Sequence, residues 1–326
     1  SSIVNCFSTI SDPRRHRVQH PIVDIIVITL LGVLCGEDGW EGYVELAQDR
    51  EELFKQFLSL PNGIPSPDTI RRVIERLDPD EFFNSFITWA KSINPRLAGQ
   101  ICIDGKTLKK ASYEGGILHL VSAWSEANRL VLGTVDTFTK GKEIPCIKKL
   151  LDLLVFQQGD IVTIDAIGCQ KDIVEKIRKK KAHYIIAVKA NQDTLHAEID
   201  NFFKQAEAAP EYAPAHSDFC ERPGRGRKDT VSVWASSEID WLGQKKLWKG
   251  LKTIIMVHRQ YVTPKGELKE ERRYYISSLA SSPNEFSNFI RRHWSIENEY
   301  HWHLDVTFQE DASRIGCIAS KNLRVA

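Results

Sequence analysis

The feature that most constrains this chain is the order of its segments between residues 101 and 189. Ile101 to Leu108 reads as a strand, with Ile101-Cys102-Ile103 running straight into Asp104-Gly105. Leu118 to Ser125 and Leu130 to Phe138 are two more strands, joined by the tight turn Glu126-Ala127-Asn128-Arg129. Ile147, Leu150, Leu151 and Leu154 then recur at helical spacing, predicting a helix over Ile144 to Leu154. A strand over Asp160 to Ile167, a helix over about Lys171 to Lys180 and a strand over His183 to Lys189 follow. Three strands in a meander and two helix–strand units leave few topologies, because a crossover helix returns the chain parallel to where it left.

The order β-β-β-α-β-α-β is that of the ribonuclease-H fold, an α/β architecture. In it the first and fourth strands lie side by side. Asp104 and Asp165 then become neighbours, although 61 positions separate them. Taken alone, Asp104 has two readings. An Asp after a buried strand can cap a turn, or it is a costly charge kept for chemistry.

The segments on either side differ in character. Residues 1–96 read as an all-helical N-terminal domain, with Asn94-Pro95 as its boundary. Within it a basic cluster, Arg14, Arg15, His16, Arg17 and His20, precedes helical runs at 22–35 and about 40–58. Ser66-Pro67 starts another helix, with Ile70, Val73, Ile74 and Leu77 on one face and Arg71, Arg72, Glu75 and Arg76 on the other. This is either a helix-turn-helix DNA reader using Arg71 and Arg72 or an ordinary surface helix. Residues 97–326 form the second domain, interrupted at about 191–282 by a β-rich insertion: a short helix at Asp193 to Ala206, the polar loop Glu221 to Lys228, and alternating segments at 230–235, 253–262 and 271–278 around the turn Pro264-Lys265-Gly266-Glu267. Residues 222–273 carry 13 Lys+Arg against 6 Asp+Glu, a local +7 on a chain of net +1. That fits a polyanion held at one surface, or a solvated face.

The remaining composition excludes some classes. The longest apolar run, Ile22 to Leu34, has 13 residues and includes Asp24, too short to span a bilayer. No leader pattern opens the chain. Seven cysteines without a C-x-x-C pair suit reduced thiols rather than a disulfide frame or a zinc site, and place the protein in the cytoplasm.

The last helix completes a candidate site. Ser282-Pro283-Asn284-Glu285 is a capping box. At 100° per residue, Phe286, Phe289, Ile290, His293, Glu297, Tyr300 and Leu304 fall on one stripe. A Glu in such a stripe is either paired with Arg or Lys or bound to metal. In this fold the last helix packs beside the strands that carry Asp104 and Asp165, so three carboxylates converge. They would repel one another unless neutralised, and Mg²⁺ (or Mn²⁺) prefers such oxygen donors. Two ions would clamp a phosphoryl centre, with Asp104 bridging both and Asp165 and Glu297 completing one each.

Four motifs carry a resemblance. Ile103 to Thr107, Asp165 to Ile173, His293-Trp294-Ser295-Ile296-Glu297-Asn298, and His301 to Val306 resemble the H-repeat-associated (ISAs-one type) DDE transposases of bacterial insertion sequences. The N-terminal segment, with Gly39-Trp40-Glu41 and Gly63-Ile64-Pro65, is similar to that family's associated domain. The resemblance implies a Mg²⁺-dependent enzyme of the bacterial nucleoid. It would cut element ends and join the freed 3′-OH to target DNA, acting on double-stranded DNA as a homodimer, with Asp104, Asp165 and Glu297 as catalytic metal ligands. Related transposases carry Tyr-x2-Arg-x3-Glu-x6-Lys around the third acid; here Ile290, His293, Glu297 and Leu304 stand at those positions. His293, and His301 or His303, would replace the lost phosphate contacts. Trp294 either stacks on a base or packs, while Lys106, Gln170, Lys189, Asn191 and Arg227 are further candidates for the DNA backbone. The resemblance also implies a helical segment beyond Ala326. Two other readings stay open: a domesticated or truncated copy that binds DNA without cutting, and another ribonuclease-H-like nuclease.

Overall fold

The meander and the two crossovers build one edge of a larger sheet. In a computed structural model of the protein, residues 3–306 are described apart from 16–17, 38, 94–98, 114–115, 138–140, 210–213, 215–216, 225–226 and 264–265. The strands are β1 (Gln100–Tyr113), β2 (Gly116–Ser125), β3 (Leu130–Thr137), β4 (Ile161–Ile164), β5 (His183–Val188), β6 (Ser217–Gly224), β7 (Arg227–Ser236), β8 (Thr253–Val262) and β9 (Leu268–Ser277). They form a single sheet in the order β3-β2-β1-β4-β5-β9-β8-β7-β6. The expected boundary at Asn94-Pro95, the turn residues Pro264-Lys265, His16, Arg17 and the chain beyond 306 lie outside the described residues, as does the side chain of Arg227.

As the crossovers require, β1, β4 and β5 are mutually parallel, and β1–β2–β3 is antiparallel. Helices α7 (Glu143–Leu153) and α8 (Lys171–Lys179) make the crossovers. Their apolar stripes, Ile147, Leu150 and Leu151 and then Ile173, Val174 and Ile177, bury against Ile101, Ile103, Val162 and Ile164. Alternation along β1 turns Cys102 to the other face, where it meets Trp124 and Ile296.

The structure closes one open reading and extends another. First, the chain does not turn after Asp104. β1 continues beyond it paired to β2; what ends there is the ladder with β4, whose last pair is Ile103 with Ile164. Second, the insertion extends the sheet of the domain it interrupts, because β9 pairs antiparallel with β5 (Val188 opposite Tyr274) and carries β8, β7 and β6 outward. The stretch read as a polar loop, 221–228, contributes to β6 and β7. β6 is the edge strand of the sheet among the described residues, a place where a proline such as Pro223 is tolerated.

Among the described residues six helices precede the sheet: α1 (Ile3–Phe7), α2 (Ile22–Leu34), α3 (Gly39–Asp49), α4 (Glu51–Phe54), α5 (Pro67–Ile74) and α6 (Pro79–Ile93). They bury Phe7, Ile25, Ile28, Tyr43, Phe54, Ile70 and Phe82 in a core of their own. They lean on the sheet at Gly133 of β3, where an added Cβ would lie 2.8 Å from Leu150 and 3.0 Å from Phe83 of α6. After β5 come α9 (Asp193–Ala208), then α10 (Pro283–His293) and α11 (Trp302–Val306) at the end of the described chain. No helix among the described residues is long and apolar enough to cross a membrane, and the five described cysteines are free.

Candidate active site

Register puts the first two acids together. Ile103 faces Ile164 across the parallel ladder, so Asp104 and Asp165 are the next residue on each strand. Asp165 opens a single tight helical turn, Ala166–Gly168, and its Oδ1 accepts the Ile167 N–H at 2.9 Å. Only glycine fits at the end of that turn, since a Cβ on Gly168 would stand 2.3 Å from Ile164 Cγ2. Asn191 Nδ2 donates to the Ala166 carbonyl at 2.7 Å, and Gln192 Nε2 to that of Cys169 at 2.8 Å. The direction of Asp165 is therefore fixed by its own turn and by the segment that follows β5.

The third acid arrives by a different route from the expected one. Helix α10 starts at the capping box of Ser282 and Glu285 and seats Phe286 and Ile290 against Ile185, Val231, Val233 and Ile255. After His293 the helix widens into a π-helical segment, Ile296–His301, before α11. A π turn takes an extra residue, which shifts every side chain beyond it relative to a 100° stripe. Ile296 is fully buried against Cys102 and Trp124, and Tyr300 stacks on Trp124 with ring centroids 5.5 Å apart. Glu297 is thus not in the inward row; it is exposed at the mouth of the site.

That mouth still belongs to the cleft of the other two acids. Asp104, Asp165 and Glu297 line one opening of about 320 Å³, together with Lys189, His196, Arg272, Arg273, His293 and Trp294. The Asp104 side chain is 16% exposed. Burial lifts its carboxyl to about 7; the Gly105 N–H opposes that, and Asp165 and Glu297 add repulsion. Burial also raises Glu297, with Asp165 adding and Arg273 opposing. His293 donates to or accepts from Thr163 Oγ1 at 2.9 Å, and burial lowers its imidazole to about 4 against the pull of Asp165. Among the described residues, no three acid, His or Cys side chains stand close enough to hold an ion as placed. In donor chemistry the set does fit a hard divalent cation: three mutually repelling carboxylates, all oxygen.

The other expected residues are distributed unevenly. His293, Trp294 and Lys189 line the cleft; Trp294 lies under the Arg273 guanidinium, 5.1 Å from its ring centroid. Lys106 pairs with Asp305, and His301 sits against Asp104, so neither faces outward as a DNA contact would. Asn191 braces the Asp165 turn. Gln170 precedes α8, half-buried and outside the cleft. Arg71 and Arg72 both pair with Asp68, at 2.7 and 2.6 Å, and Arg71 also meets Glu75 at 3.5 Å. Arg272 and Arg273 also line the cleft, and the sequence marks them only by their place in the basic stretch, near the end of an alternating strand. A second opening of about 350 Å³, sharing Arg273 and Trp294 with the first, adds Arg259 and Arg291.

Fold and cleft together define a mixed α/β protein with an acid-lined opening at the carboxyl ends of its central strands. A family model described as Transposase DDE domain matches residues 96–320, and one described as DDE_Tnp_1-associated matches residues 4–90. The chain belongs to the DDE transposase family. It is 38% identical to "Putative transposase YncI" of Escherichia coli O157:H7, over 96% of this chain and 82% of the relative. It is 34% identical to "H repeat-associated putative transposase YhhI" of Escherichia coli (strain K12), over 92% and 80%. A solved piggyBac transposase synaptic complex with hairpin DNA overlaps 99% of this chain and 73% of its own at a TM-score of 0.43 and 11% identity, too loosely to speak of activity.

Proposed function

We propose that the protein is a transposase that cleaves DNA at the ends of an insertion element and joins the freed 3′-OH to target DNA. In this reading residues 97–326 are a ribonuclease-H-like catalytic domain and 1–96 a separate helical domain. The observation that carries it is the single cleft shared by Asp104, Asp165 and Glu297, acids from three distant segments. Burial first, and then repulsion from Asp165 and Glu297, hold the Asp104 carboxyl near 7.

Asp104, Asp165 and Glu297 would hold the divalent ions, Mg²⁺ or Mn²⁺. When bound, such ions polarise the phosphoryl group and stabilise the attacking and leaving oxygens of an in-line displacement. The chain's own residues do the rest. The turn braced by Gly168 and Asn191 keeps the Asp165 carboxylate aimed. Lys189, Arg272 and Arg273 on the cleft wall offer positive charge to a phosphodiester. His293, held neutral and tied to Thr163, fixes the end of α10 against the sheet. DNA is held at this wall, although Arg272 also pairs with Glu207 and Glu270 and Arg273 with Glu271; Arg71 and Arg72 of α5, paired with Asp68 and Glu75, form a second candidate surface.

The test is cleavage of duplexes bearing the element's terminal repeats, with Mg²⁺ or Mn²⁺, followed by transfer of a labelled 3′ end into plasmid. Asp104→Asn, Asp165→Asn and Glu297→Gln should each abolish both steps. A variant that cuts like the wild type removes its residue from the site; cutting without joining makes the protein a nuclease.

A further inference from the structure

Strand β1 presents a row of side chains to the last helical segment. Cys102, Asp104 and Lys106 alternate onto one face. Opposite them, in order, stand Ile296 against Cys102, His301 with its Nδ1 3.9 Å from Asp104 Oδ2, and Asp305 paired with Lys106. Two strand residues advance about 6.6 Å, and four or five helical residues about 6–7.5 Å. The segment from 296 to 305 therefore runs along β1 and meets it once per turn.

The outer two rungs explain themselves, one as apolar packing and the other as an ion pair. The middle one does not. The His301 side chain is 12% exposed, and its Nε2 is buried without a hydrogen-bond partner. Leucine or phenylalanine would fill that space without stranding a polar nitrogen. What a hydrocarbon cannot do is present an N–H to Asp104. At 3.9 Å the ring is a small rotation from a hydrogen bond, and its neighbours above and below already fix the height of the helix.

We propose that His301 is a positioning residue for Asp104: its Nδ1–H takes up Oδ2 and so directs Oδ1 into the cleft, toward a divalent cation. The proposal rests on the reading of the cleft as a metal site. It makes the π-helical segment the device that brings two residues to the acids, Glu297 at the mouth and His301 behind Asp104. Partners that hydrogen-bond a ligating carboxylate set its orientation, and their loss typically weakens metal binding about 10–100-fold.

The experiment measures Mn²⁺ binding to the full chain by the electron paramagnetic resonance signal of free Mn²⁺, with thermal melts in EDTA to establish folding. His301→Ala should weaken binding about 10–100-fold. His301→Asn, whose Nδ2 can take the place of Nδ1, should restore most of it; if the alanine variant does not fold, the asparagine variant set against His301→Leu decides. Wild-type affinity in His301→Ala, with binding lost in Asp104→Asn, overturns the role of His301 and leaves the metal site standing. Equal weakness in His301→Asn and His301→Ala reduces the residue to packing. If the wild type binds no Mn²⁺, or Asp104→Asn binds as well, the metal site itself falls, and this proposal with it.

Discussion

Asp24 and Asp104 are both carboxylates drawn out of water, one among the N-terminal helices and one in the cleft, and the fold treats them in opposite ways. Asp24, on α2, is 4% exposed and receives the Leu60 N–H at 2.9 Å, the Ser59 hydroxyl at 3.1 Å and the Ser59 N–H at 3.4 Å. Its charge is spent on closing the chain between α4 and α5. Asp104 has burial and two carboxylates against its charge and the Gly105 amide in its favour, and Lys106, two residues along the strand, is engaged by Asp305. A buried acid met by donors from its own chain is a structural part. A buried acid surrounded by other acids is kept at a cost in stability, which is the mark of a group awaiting something from outside.

The comparison breaks most decisively on activity. Asp104→Asn should lower DNA cleavage by about a thousandfold or more, the several kcal/mol that a carboxylate-held metal contributes to a phosphoryl transition state. Asp24→Asn, assayed below its melting temperature, should cut at the wild-type rate. If Asp24→Asn were as inactive as Asp104→Asn while still folded, the division between structural and chemical acids would be wrong.

Stability should reverse the ranking. Asp24→Ala leaves the buried Leu60 N–H without its acceptor and also removes the Ser59 contacts, and should cost about 1–3 kcal/mol, read by chemical denaturation. For Asp104 the sign is the other way and depends on pH. The folded carboxyl titrates near 7 against 3.8 for the ordinary side chain. Between those values the folded state holds a proton that the unfolded state has released. Stability therefore falls as pH rises through this window and levels off above 7. Without divalent ions, Asp104→Asn should then be more stable than the wild type at pH 8, by about 1–3 kcal/mol, and indistinguishable from it below pH 4. A wild-type curve flat between pH 4 and 7 would remove the claim that Asp104 is held under strain.

The sequence carried the first half of the site better than the second. Asp104 beside Asp165 follows from chain order, because the order β-β-β-α-β-α-β places the first and fourth strands side by side, as the ladder shows. Ser282-Pro283-Asn284-Glu285 encodes its cap locally, and the cap is there. Glu297 was read through a period of 3.6, and no local residue pattern announces a π turn; the extra residue is stabilised by Ile296 and Tyr300 meeting Trp124, a partner 172 and 176 positions away. The same limit hid Arg273. Its inward direction depends on β9 pairing with β5, a contact between the interrupted domain and its insertion that no local pattern announces. β6 is illegible in the sequence because Pro and Gly disguise an edge strand that pairs only with β7.

The smallest effect tests the residue that stands between the two types. Asp165 lines the cleft, as Asp104 does, and also accepts a backbone N–H from its own chain, as Asp24 does. Its two roles separate chemically. Asparagine keeps a side-chain oxygen for the Ile167 amide and loses the negative charge; alanine loses both. Asp165→Asn should therefore melt close to the wild type yet fail to cut, whereas Asp165→Ala should fail to cut and also lose about 1 kcal/mol, the usual worth of a helix-capping side chain. Equal stability in the two variants would mean that the Ala166–Gly168 turn is held by Gly168 and Asn191 alone. The aim of Asp165 would then owe nothing to its own cap, and the whole acid would belong with Asp104 rather than between the two.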